Sequence, residues 1–240
     1  MGSKRFRGKL CVYCSERVSV TGDHVFAREF FVHAARDQLP QVPSCEGCNN
    51  EKSKLEHYLT AVLPFGGRHT DANETLTLLV PGRLAKNANL RRELQLNQGR
   101  TWHCESNVIH YAMTVPVDAA RVNALFALIA RALAWLHFGA HLSSGHASEA
   151  IFLSRYGEEY FGRLFAHNAA NRARADLGRG AVRYEGAQAV DIPQLTIWRF
   201  QFYGGMALSG DPAFPDEVAT VIGAFTGPAR LVSTLSSRGT

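Results

Sequence analysis

Two Cys-x-x-Cys pairs, Cys11/Cys14 and Cys45/Cys48, stand on either side of an Asp23-His24 dipeptide, and the second pair runs directly into Asn49. No other feature constrains the chain as tightly. Paired thiolates at this spacing are ligands for one zinc ion in a tetrahedral, structural site. Such a staple would bring an Asp, a His and an Asn close together. Those three residue types can act jointly on a bound substrate.

Cysteine usage and the start of the chain favour zinc over disulfides. Four of five cysteines lie in the two pairs, and Cys104 is left over as a buried, inert thiol. The first 20 residues are basic and lack the apolar stretch of a secretory signal. A cytoplasmic, reducing location follows, where thiols stay free for metal. The longest apolar-rich stretch, Ala124 to Gly139, is interrupted by Arg131 and reads as a buried helix, with no membrane as partner. The formal charge of +5 permits a nucleic-acid partner without requiring one. Residues 1–70 hold ten Lys/Arg against seven Asp/Glu, so the positive excess leans toward the cysteine-rich end.

Along the chain, Leu10–Tyr13 and Arg17–Val20 alternate as two short strands, and Thr21-Gly22-Asp23 reads as a turn. An amphipathic stretch covers Phe26 to Ala35. Ser44 suits an N-cap, and a helix runs from Cys45 to about Val62, before Pro64-Phe65-Gly66-Gly67. Gly66-Gly67 is the expected boundary. Beyond it, Thr75–Val80 reads as a strand, Gly82–Asn97 as a solvated helix and Val108–Val115 as a strand. Asp118 caps the strongest helix, which ends at Gly139 with Val122, Leu125, Phe126, Ile129, Leu133 and Leu136 at helical spacing. A second helical stretch covers Ser148–Arg174, and Ala181–Val190, Leu195–Tyr203 and Val218–Phe225 read as strands. The fold class is α+β: a zinc-stapled unit of strand, strand and helix over residues 1–66, then a larger α+β domain over 67–240. At about 65 residues the first unit has a thin core, so zinc would supply much of its folding free energy.

Residue chemistry in the first unit suits phosphodiester hydrolysis. That reaction needs an activated water, a cation on the scissile phosphate and help for the leaving oxygen. A neutral His can take a proton from water near pH 7, and Asp and Asn oxygens suit a hard divalent cation. His24 therefore fits the base, and Asp23 and Asn49 fit the cation. Asn49, Lys52, Ser53 and Glu56 recur on one helix face, so Lys52 could contact a phosphate and Glu56 or His57 could support the metal. Lys54 and Arg28 are further candidates for nucleic-acid contact. Chemistries built on a nucleotide-binding glycine loop or a G-x-S-x-G elbow have no matching motif.

The segments Cys11-Val12-Tyr13-Cys14, Gly22-Asp23-His24-Val25 and Val42 through Ser53 resemble the HNH endonucleases, ββα-metal nucleases with a four-cysteine zinc knuckle. The resemblance covers about a fifth of the chain. It implies a metal-dependent endonuclease that hydrolyses DNA, double-stranded by expectation. His24 would be general base, and Asp23 and Asn49 would be ligands of a catalytic magnesium or manganese. Cys11, Cys14, Cys45 and Cys48 would hold structural zinc. Ala127–Gly139 and Trp198–Tyr203 are similar to regions attached to some bacterial members. Two positions depart from the family pattern. Where a central Asn usually orients the base, Leu39–Ser44 offers only Gln41 (or Gln38 further back), and Ala27 stands where Pro is common.

A rival reading is a catalytically silent zinc-knuckle module that binds nucleic acid or protein. Residues 67–240 would position substrate, sense a signal or mediate homo-oligomer formation, and the sequence does not choose among these.

Overall fold

The computed structural model describes residues 4–105, 108–206 and 220–239, with backbone alone at 101–105, 108–113 and 236–239. The expected α+β class holds. Strands β1 (Thr21–His24) and β2 (Gln41–Ser44) pair antiparallel, with Asp23 opposite Val42 and His24 opposite Gln41. Helix α1 (Glu46–Val62) leaves β2 after a single residue.

The hairpin lies one step later than the sequence pattern placed it. Of the strands expected at Leu10–Tyr13 and Arg17–Val20, a lone bridge between Leu10 and Val18 forms, and the expected turn at Thr21-Gly22-Asp23 is part of β1. Between Leu10 and Val18 the chain turns: Ser15 N–H donates to Cys11 O at 2.8 Å and Cys11 N–H to Arg17 O at 2.9 Å. Geometry requires that turn, because residues i and i+3 of a strand face opposite ways and could not present two thiols to one point. The stretch Phe26 to Ala35 forms two single 3-10 turns, Arg28–Phe30 and His33–Ala35, around the fully buried Phe26, Phe30 and Phe31. Cys45, not Ser44, takes the N-cap position of α1; the Ser44 hydroxyl donates to Cys45 O at 3.1 Å.

After a 3-10 turn at Leu63–Gly66 come α2 (Thr70–Glu74), a π-helical turn at Thr75–Leu79, α3 (Val80–Lys86) and α4 (Ala88–Asn97). The strand expected at Thr75–Val80 is therefore helical. Among the described residues no strand lies beside that segment, and it satisfies its backbone groups internally. The single helix expected over Gly82–Asn97 is divided at Asn87, whose side chain accepts from Leu90 N–H at 3.0 Å and caps α4. Strands β3 (Gly99–Glu105) and β4 (Val108–Thr114) form a separate hairpin. The side chain of Cys104 lies outside the described ones.

Helix α5 (Ala119–Phe138) follows its sequence signals closely: the Asp118 carboxylate accepts from Arg121 N–H at 3.0 Å, and Gly139 closes the helix at φ +65°. By length and composition alone α5 could cross a membrane, but it is a core helix with Leu125, Phe126, Ile129 and Leu133 fully buried. Next come β5 (His146–Phe152), α6 (Arg155–His167), β6 (Arg172–Leu177), β7 (Val182–Gln188), β8 (Thr196–Phe202), β9 (Ile222–Pro228) and α7 (Ala229–Gly239). The helical stretch expected over Ser148–Arg174 thus splits into strand, helix and strand. Its two ends are drawn into one antiparallel sheet of order β5-β9-β8-β7-β6. Gly186 on β7 has no room for a side chain, because a Cβ there would sit 2.2 Å from the Trp198 ring.

Packing against the sheet joins the two halves of the chain. Alternate residues of β8 (Trp198, Phe200 and Phe202) face α5 and the N-terminal segment, while Ile197 faces Phe161, Phe165 and Val232 on the opposite side. The Phe26 ring stacks on Tyr184 at 5.5 Å, and Phe30 meets Phe202 edge-on at 5.2 Å. Tyr203 donates its hydroxyl proton to Phe30 O at 2.7 Å. One core therefore runs through both sides of Gly66-Gly67, and it includes Cys11, Tyr13 and Cys45.

Candidate functional site

The four thiols form one cluster. The sulfurs of Cys11, Cys14, Cys45 and Cys48 all lie within 4.8 Å of one another. Two come from the turn after Leu10 and two from the first turn of α1, and the β1–β2 hairpin brings these segments together. Tetrahedral zinc with bonds near 2.3 Å would hold its sulfurs about 3.8 Å apart, a spacing compatible with this cluster. The surroundings suit thiolates. Burial pushes the Cys14 thiol up, but the backbone N–H groups of Arg17 and Glu16 outweigh it and bring the pKa to about 6. Burial raises Cys11, and burial with the neighbouring thiols raises Cys48, until a metal takes their protons' place. Arg17 points its guanidinium at the cluster, 3.8 Å from Cys48 Sγ. The donor set fits a zinc ion.

Asp23 and His24 face opposite ways from β1 and have separate partners. Asp23 is buried. Its Oδ2 accepts from Tyr13 Oη at 2.5 Å and lies 3.0 Å from Lys52 Nζ. Burial, then the Asp23 charge, push the Tyr13 hydroxyl well above its ordinary value, so it stays a donor. Lys52 donates further to the backbone oxygen of His24 at 2.7 Å and to Glu56 Oε1. Glu56 shares the pocket: burial pushes it up to about 7, Lys52 opposes the shift and Asp23 adds to it.

His24 is half-buried at the end of β1. Its ring nitrogen Nε2 lies 2.9 Å from the side-chain amide nitrogen of Gln41, the residue opposite it on β2, which as placed donates to the ring. Burial lowers its pKa; Arg28 and Lys52 lower it further, against Asp23. The ring is therefore neutral at pH 7. The two ends of the Gln41 amide are interchangeable by rotation. As placed, the amide donates to Nε2 and engages the ring's lone pair there; only in the rotated arrangement does the Gln41 oxygen accept from Nε2–H and leave the lone pair on Nδ1.

Asn49 sits in the first turn of α1, where its backbone N–H donates to Cys45 O at 3.0 Å; its side-chain amide has no hydrogen-bond partner among the described residues. Arg28 is exposed beside His24, and Lys54 is exposed and paired with Glu51 at 2.6 Å. Lys52 departs from the sequence reading. Its side chain is 0% exposed and its ammonium is spent on Asp23, Glu56 and His24 O, so it does not present charge to a nucleic acid. His57 is exposed, 3.5 Å from Ser53, and stands apart from this network.

For a hard divalent cation the donor set does not fit as it stands. The buried oxygen of Asp23 is saturated by a hydroxyl and an ammonium, and Asn49 bonds to neither. Tyr13 is the member of the network that sequence reasoning passed over. Its signal was its position inside the first cysteine pair, where the zinc turn aims it at β1. Gln41 was visible as the residue in place of the central Asn, but its contact with His24 depends on strand register.

No protein-family model, curated protein or solved structure matches this chain.

Proposed function

We propose that this chain is an HNH-type endonuclease that hydrolyses DNA phosphodiester bonds, with His24 as general base and a structural zinc in the four-cysteine cluster. One observation carries the reading: His24 is held neutral by burial and gripped at Nε2 by Gln41, 2.9 Å away. With the Gln41 amide rotated so that its oxygen accepts from Nε2–H, the neutral imidazole keeps its lone pair at Nδ1 and can accept a proton from water near neutral pH. Gln41 does the work of the missing central Asn. The cysteine cluster locks α1 to the hairpin and so fixes the ring relative to the helix. Exposed Arg28, adjacent in sequence to the loop after His24, and Lys54 supply positive charge for the phosphate backbone. The expected magnesium or manganese on Asp23 and Asn49 meets a site in which Asp23 Oδ2 already carries Tyr13 and Lys52, so the reading routes no step through such an ion.

Supercoiled plasmid incubated with the zinc-loaded protein and magnesium or manganese tests this. Nicked or linear product, lost in His24→Ala, is expected. Intact plasmid across pH 6–9, or undiminished cutting by His24→Ala, overturns it.

A second reading draws on the buried pair Lys52–Asp23. With its carboxylate neutralised inside the protein, the chain would be a zinc-knuckle module that binds nucleic acid or protein without cutting. DNA retention on a filter without cleavage under the same conditions would favour it.

A further inference from the structure

Arg17 is exposed, yet it engages both cysteine pairs. Its backbone oxygen accepts from Cys11 N–H at 2.9 Å, and its own N–H donates toward the Cys14 thiol. The side chain then crosses to the second pair. One terminal nitrogen lies 3.8 Å from Cys48 Sγ, and the guanidinium covers Gly47 so closely that a Cβ there would stand 2.7 Å from Nη1 and 3.2 Å from Cζ. The Cys14 thiol, then the charges of Cys45 and Cys48, hold this guanidinium in its charged form. Without thiolates the placement is unfavourable. Cys45 is the N-cap of α1 and Gly47 lies in its first turn, where the helix dipole disfavours a cation. Negative charge on the sulfurs reverses that preference, and four thiolates on one zinc leave two net negative charges. Arg131 on α5 adds a second positive charge: burial lowers its pKa, and the charges of Cys14, Cys48 and Cys11 oppose the shift. Its Nε is buried with no hydrogen-bond partner among the described residues.

We propose that Arg17 is the positioning residue of the zinc centre: it straps the two cysteine pairs together, offsets the charge of the four thiolates, and so sets how tightly the metal is held. The proposal needs zinc in the cluster and is independent of whether the chain cuts DNA. Arginine suits the task, because its planar fork can meet acceptors on two segments at once. Hydrogen bonds and charge around a metal's ligands govern affinity nearly as much as the ligands do. The guanidinium is open to solvent, so its electrostatic share must weaken in salt. Gly47 is explained as well: a side chain at that position would take the guanidinium's place.

The test uses the zinc-loaded full chain and reads the equilibrium transfer of zinc to a chromophoric chelator. Arg17→Met keeps the stem and removes the charge. It is expected to weaken zinc binding about tenfold, the low end of such effects because the site is exposed. Arg17→Lys restores charge without the fork and should recover part of the loss. The gap between wild type and Arg17→Met should narrow in about 1 M salt. Gly47→Ala leaves Arg17 in the sequence, suits the helix, and pushes the flexible end of the arginine aside. It should weaken zinc binding in the wild-type chain and add nothing in Arg17→Met, since both changes remove one interaction. Equal zinc affinity in wild type and Arg17→Met overturns the proposal, as does an additive effect of Gly47→Ala. A loss that neither lysine nor salt alters shows packing alone and overturns the electrostatic assignment. Should Arg17→Met fail to fold by circular dichroism, Gly47→Ala and Arg17→Lys against wild type decide the matter. A wild-type chain that takes up no zinc removes the proposal and the zinc reading together. Intact plasmid with the expected zinc results removes only the nuclease reading.

Discussion

The ammonium of Lys52 lies 3.0 Å from Asp23 Oδ2, in a contact from which solvent is excluded on the lysine side. This pair ties the middle of α1 to β1 and sits directly behind the residue proposed as general base. A buried charge is tolerated only when its partners remain, since breaking such a pair strands the other charge in low dielectric.

Lys52→Ala should therefore destabilise the fold by about 3–5 kcal/mol, as measured by urea unfolding. Tyr13→Phe removes a neutral donor from the same carboxylate and should cost less, about 1–3 kcal/mol. If the tyrosine change costs more than the lysine change, the pocket is not held together by charge.

Glu56 supplies a pH signature. Its folded pKa is about 7, above the unfolded 4.5, with burial as the main cause. The folded state then holds a proton that the unfolded state has released between pH 4.5 and 7. Over that window, stability falls as pH rises, with an upper bound of about 3 kcal/mol. Glu56→Gln should abolish this contribution, read as the difference between the two proteins' urea midpoints at pH 5 and pH 8. Parallel curves for the two proteins would contradict the assignment.

Burial, with Arg28 and Lys52, pulls His24 below its ordinary 6.5. As the base acts when unprotonated, the acid limb of the cleavage profile should lie below the usual imidazole range. His24→Ala should reduce kcat by about 100- to 10,000-fold. Gln41→Ala should lower kcat with little change in KM, and Gln41→Asn should restore part of it if the shorter amide reaches Nε2. Arg28→Glu reverses a nearby charge and should move the acid limb upward.

Metal removal should report on the whole chain. Cys11 and Cys45 belong to the same core as Phe26, Tyr184 and Phe200. Cys45→Ser, or extraction of zinc by a chelator, is expected to lower Tm in a single transition rather than melt residues 1–66 alone. Phe26→Ala strikes the same junction from the other side and should cost about 3–5 kcal/mol. Two resolved calorimetric transitions in wild type would show instead that the two halves unfold independently.

Much of the fold was readable where the signals are local. Asp118 and Gly139 bracket α5 because capping and left-handed closure act within a few residues. The strands β7 and β8 follow from their β-branched and aromatic content. Misreadings fall where partners are distant. His146–Phe152 is a strand because β9 lies beside it, pairing from Phe152↔Ile222 to His146↔Pro228 across the intervening α6 to β8. Thr75–Leu79 is helical, with no strand beside it among the described residues. At the site, the four cysteines and the pair Asp23-His24 were visible as a spacing, whereas the contacts that set their charge states were not.

By itself the sequence determined that four thiols would meet and that an Asp, a His and an Asn would be carried near them, since ligand chemistry and spacing are properties of the chain. Tertiary structure alone decided what those residues touch. It put Gln41 against His24 through strand register, sealed Lys52 into the space beside Asp23, and pressed residues 1–66 onto the sheet through Phe26 and Phe30. Register, burial and cross-chain packing depend on residues far apart in sequence, and they set the charge and orientation on which any chemistry at this site depends.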